Sequence, residues 1–146
     1  MVNPELHMLH DADGLPVCNV SFDLSADQVA SAAHAVEAVR LERHRHQTLS
    51  TDDVLALRAL TGLSDELHGL AEQHGHAGLL LTLARFTALH DALSDWVHVA
   101  DERGWMREEE REHSARIEAL LEPMAQLRAD ALQAVLGEGA QQAPGA

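Results

Sequence analysis

The groups in this chain most able to do chemistry are histidines and carboxylates at helical spacing. Asp65 and His68, Asp95 and His98, and Glu110 and His113 each lie three residues apart, and His68/Glu72 and His98/Glu102 lie four apart. Both spacings put a pair on one helix face. Glu-x-x-His pairs on facing helices are what carboxylate-bridged metal bundles use, so the chemistry they suggest is binding of a divalent metal. The same spacings arise in any charged helix, where they describe solvated ion pairs instead. The eleven His also stand in a chain rich in Ala, Leu, Gly and Arg, a composition typical of GC-rich coding, which dilutes their meaning.

Other chemistries lack their parts. Cys18 is the lone Cys, in a turn-rich segment, and no Ser stands in an elbow motif. The chain has no Lys, so no phosphate loop is present. Asp11-Ala-Asp-Gly14 has the opening of a calcium loop, but Leu15, Pro16 and Val17 follow where ligands belong, so it reads as a turn.

Positioning these groups requires helices. Ser25-Ala-Asp-Gln28 is a capping box, followed by the stripe Val29, Ala32, Ala33, Val36, Val39, so a first helix runs from Ser25 to about Gln47. Its last turn, Arg40 to His46, is the main basic run and suits a helix C-terminus. Ser50 caps a second helix with Leu57, Leu60, Leu63 (or Ser64), Leu67 and Leu70 inside, ending near His74 and Gly75. Ala77 to Arg103 is the most apolar long segment. Leu79, Leu83, Phe86, His90, Leu93 and Val97 alternate steps of four and three, which predicts a third, deeply buried helix stopped by Gly104. A fourth runs from Met106 to Leu136, with Pro123 expected to kink it and Gly137 to end it. Before the helices, Cys18, Val20, Phe22 and Leu24 alternate with polar residues as in a half-buried strand, and Leu6, Met8 and His10 could partner it.

Short connections favour antiparallel neighbours. The expected fold is therefore all-α: an up-down-up-down four-helix bundle over residues 25–137, a short extended or hairpin segment over 1–24, and a disordered tail over 138–146. Setting the turns at about residues 48, 76 and 104 with equal helical rise puts Asp95, His98, Glu110 and His113 in one polar layer. They are the candidate metal ligands, alongside the alternative of an ion-pair network between the basic end of the first helix and the acidic start of the fourth. His90 falls level with Gly62, where a large ring can fill a small residue's space.

The formal net charge of −14 argues against nucleic-acid binding. Met1 to Gly14 lacks a secretory signal, and the longest apolar stretch is far short of a membrane span, so a cytoplasmic protein with no membrane partner is expected. The leading functional expectation is non-catalytic protein–protein contact with no cofactor. A homodimer is expected through residues 4–24, because a two-stranded hairpin leaves unpaired edges. One alternative is a metal protein using Asp95, His98, Glu110 and His113. The other is a small-molecule binder in a gap beside Gly62 and His90, with Phe86 and Trp96.

Overall fold

A computed structural model describes residues 2–45, 50–73, 75–103 and 107–141. The expected Gly104 cap, together with His46, Gln47, His74 and residues 142–146, lies outside the described residues. In chain order the elements are β1 (Val2–His10), β2 (Pro16–Leu24), α1 (Ala26–Arg45), α2 (Thr51–Glu72), β3 (Ala77–Thr82), α3 (Leu83–Arg103) and α4 (Glu108–Gln141). The three strands form one antiparallel sheet in the order β1-β2-β3. The fold is thus α+β, which corrects the all-α four-helix bundle.

The correction turns on Ala77–Thr82. A short run of Leu fits a buried strand as well as a helix, because periodicity cannot separate them. In the structure Ala77, Leu79 and Leu81 are buried while Gly78, Leu80 and Thr82 are exposed, the alternation of a strand with one face on the core. Pairing with the free side of β2 decides the matter, with Leu79 opposite Phe22 and Leu81 opposite Val20. Helix α3 then begins at Leu83, where the Thr82 hydroxyl accepts from the Arg85 backbone N–H at 3.2 Å.

The hairpin is closed by Asp11. Its Oδ1 accepts from the backbone N–H groups of Asp13 and Leu15, both at 2.9 Å, and Gly14 takes φ of 78°. That oxygen is thus taken up by its own turn. Cys18, Val20, Phe22 and Leu24 all face the core. Because β3 covers one side of β2 within the chain, the outer edges are β1 and β3. β1 carries Pro4 and a register shift between Val2 and Glu5, both features of an edge strand.

Phe86, Leu89 and Leu93 of α3 are buried to 1 % exposure or less, while Leu83 is only partly covered. Phe86 meets Phe22 edge-on at 5.5 Å between ring centroids, joining helix layer to sheet. Ile117, Leu120, Met124, Leu127 and Ala131 give α4 its buried stripe. That helix is continuous through Pro123 and Gly137 to Gln141, beyond the Gly137 stop expected from sequence.

Helices α1 and α2 are latched by a polar cluster. The guanidinium of Arg40 donates to both carboxylate oxygens of Glu37, and buried Ser64 donates its hydroxyl to Glu37 Oε2 at 2.6 Å. His68 Nδ1 donates to the Ser64 carbonyl at 2.8 Å. The Arg40 bond, foremost, and the Ser64 bond hold the Glu37 carboxyl down at about 2, against the opposing effect of burial. Among the described residues, no helix is long and apolar enough to cross a membrane.

Candidate functional site

One pocket, of about 430 Å3, opens where α1, α3 and the start of α4 meet. Helix α1 supplies His34, Ala38 and Glu42 at steps of four, with Val39 and Arg43 as a second such pair. Helix α3 supplies Asp95, Trp96, His98, Val99 and Ala100, and α4 supplies Glu110. Of these, Val39, Trp96 and Ala100 are buried, and Glu42, Asp95 and His98 are exposed. Trp96 is nearly buried, and the His34 ring meets it at 87° with centroids 5.7 Å apart.

Behind His34 lies His113 of α4, stacked on it at 4.6 Å with the rings 18° from parallel. His113 Nδ1 is hydrogen-bonded to Ser31 Oγ at 2.7 Å, and Arg116 donates to the same oxygen over 3.5 Å. Both ring nitrogens of His113 thus have a neighbour, Ser31 at Nδ1 and the Glu109 carboxylate 4.0 Å from Nε2. Burial first, and then the neighbouring His34 and Arg116, push His113 below the ordinary histidine value. Ser, His and Glu are the residue types of a nucleophilic relay, but Ser31 is fully buried inside α1. Its hydroxyl has no path to a substrate, and the group acts as a clasp between α1 and α4.

The four residues expected from sequence reach the same corner by different routes. Asp95, His98 and Glu110 all line the pocket, and His113 reaches it through its stack on His34. They do not converge on a point. Asp95 accepts from Arg43 Nη2 at 2.7 Å, His98 Nε2 lies 3.2 Å from Glu102 on its own helix, and His113 is held by Ser31. Among the described residues, no group of three or more His, Cys, Asp or Glu is arranged to hold a metal ion.

Gly62 and His90 have separate neighbours. A Cβ at Gly62 would meet Arg85 Nη2 at 3.6 Å, where Arg85 crosses to Glu66 at 3.1 Å. His90 Nδ1 accepts from Arg128 at 3.2 Å, and the same guanidinium donates to Asp91 at 2.8 Å. Burial, then the Arg128 charge, pushes His90 below the usual histidine range. It is an edge histidine satisfied by α4.

His34 is a pocket residue that sequence reasoning passed over, as is Ala38. It stands outside the stripe of Val29, Ala33 and Val36, yet Ala38 and Glu42 follow it at steps of four and mark a second face of α1. Comparison with known proteins supplies no relative: no family model matches the chain, and no curated protein or solved structure matches it.

Proposed function

We propose that this protein acts by binding rather than by catalysis, and that its recognition site is the α1/α3/α4 pocket, occupied by a small organic molecule. The observation that carries this reading is the cavity itself. About 430 Å3 falls in the range of ligand pockets, and an apolar interior with a few polar groups at the mouth is their usual make-up. His34, Val39, Trp96 and Val99 offer apolar surface, while Glu42, Arg43, Asp95 and Glu110 offer orientation. Chemical-shift mapping with a library of small organic molecules tests it. Hits should displace the Trp96 indole and the amides of residues 34–43 and 95–100. Ala38→Phe, which fills the pocket from the α1 wall, should abolish them while the melting temperature stays close to that of the parent. Hits that avoid this corner, or that survive Ala38→Phe and a second filling variant, Val99→Phe, refute the reading.

A second reading, contact with another protein, is favoured by a different observation. The start of α2 and the end of α1 expose Leu41, Val54 and Leu55, and Val99 of α3 is exposed as well. A second copy of the chain is the simplest partner to test. Light scattering on the parent and on Leu55→Glu decides it: a dimer that the substitution dissociates supports this surface, and a monomer at every concentration rejects self-association.

A further inference from the structure

We infer that the pocket is built for an organic cation, an ammonium or guanidinium carried on an apolar body. This rests on the binding reading above and names its ligand class. Around the mouth stand three carboxylates, Glu42, Asp95 and Glu110, against one guanidinium, Arg43. Arg43 is already turned onto Asp95 at 2.7 Å, and Glu42 has Arg45 within 3.8 Å. Glu110, half-buried, has no ion-pair partner among the described residues. An incoming cation is the group that would give it one.

Helix ends do not reverse this sign. The C-terminal ends of α1 and α3 and the N-terminal ends of α2 and α4 lie at this end of the molecule, so their partial charges oppose one another. The fixed side chains then decide, with Glu108 and Glu109 beside Glu110 outnumbering the flanking Arg107 and Arg111. The net charge of −14 on the whole chain acts in the same direction at longer range. An anion would have to compete with Asp95 for Arg43, and a neutral molecule can give Glu110 a hydrogen bond but no opposite charge. A bare metal ion would need three ligands in one place, which the described residues do not offer. The walls fit the rest of an organic cation: Trp96 presents an aromatic ring, which attracts cations as well as apolar groups, and Val39 and Val99 cover an alkyl body.

The test uses three probes of one shape and different charge: 4-phenylbutylamine, 4-phenylbutanol and 4-phenylbutyrate, titrated into the full chain and followed by chemical-shift mapping. The amine should bind about tenfold more tightly than the alcohol, the scale of a desolvated cation against an aromatic wall. The butyrate should not bind. Glu110→Gln, which keeps the shape and removes the charge, should weaken the amine by about threefold to tenfold and leave the alcohol unchanged. N-acetyl-arginine amide and N-acetyl-lysine amide separate the sources. If they match the amine, the cation is a side chain delivered by a partner; if they are weaker, it is a free amine. Butyrate or alcohol binding as well as the amine, or an amine indifferent to Glu110→Gln, overturns the cation while leaving a binding pocket. None of the probes binding at this corner overturns both.

Discussion

Replacing Glu37 with Gln should destabilise the protein at neutral pH and leave it unaffected in strong acid. The carboxyl is held at about 2 against an ordinary 4.5. At 1.36 kcal/mol per pH unit, that depression corresponds to about 3 kcal/mol at most. The Glu37 side chain is 32 % exposed, so solvent screens part of it and about 1–2 kcal/mol is the expected effect. The sign follows from which state binds the proton first. The unfolded chain takes it up near 4.5, the folded chain only near 2, so the stabilisation is complete above the unfolded value and disappears as pH falls through the folded one. Urea unfolding of the parent and of Glu37→Gln, repeated from neutral to strongly acidic pH, isolates this group, because the other carboxylates are common to both. The difference in stability should be constant above about pH 5 and shrink towards zero near pH 2. Ser64→Ala in both backgrounds completes a double-mutant cycle, with a coupling of about 1 kcal/mol expected from a hydrogen bond to a charged group. A difference that stays flat down to pH 2, or a Gln variant as stable as the parent at pH 7, refutes the latch.

Phe86→Ala should cost about 3–5 kcal/mol, since the ring is fully buried and also loses its edge-on contact with Phe22; equilibrium denaturation measures it, and a loss below 1 kcal/mol would contradict the packing described. His113 and His90 should both titrate below 6.5 in the folded chain, as followed by their ring proton resonances. Because the unfolded chain then binds protons first, each removes stability as pH falls below 6.5, and an upward-shifted titration of either ring would contradict its buried, neutral state.

Legibility in the sequence was uneven, for physical reasons. Caps are local, so both Ser25-x-x-Gln28 and the start at Ser50 appear in the structure as capping boxes. The alternation of Cys18 to Leu24 is likewise a one-strand signal, and those side chains are buried. Leu79 to Leu81 failed because three adjacent leucines carry no period. Their state depends on a pairing with β2 that is remote in sequence. Thr82, an N-cap three residues before Arg85, was the local sign that a helix begins after it. Gly137 misled in the other direction, since α4 passes through it. For the site, helical rise brought Asp95, His98, Glu110 and His113 to one end. It could not show that Arg43, Glu102 and Ser31 each take one of them. Those pairings depend on which way each helix is rotated about its own axis, and spacing along one helix does not set that.

Helix α4 has a consequence for how the molecule comes apart. Pro123 has no N–H to give the Ala119 carbonyl, and both residues are exposed, so water can take the bond the helix omits. Upstream of that gap the helix grips α1 through His113 and Arg116; downstream, Met124, Leu127 and Ala131 are sunk in the core. The helix as a whole touches β1, β2, α1 and α3. A strut fastened to both layers prevents either from opening alone, so amides in the middle of β2 should exchange with solvent as slowly as those in the middle of α1, and only when the entire chain unfolds.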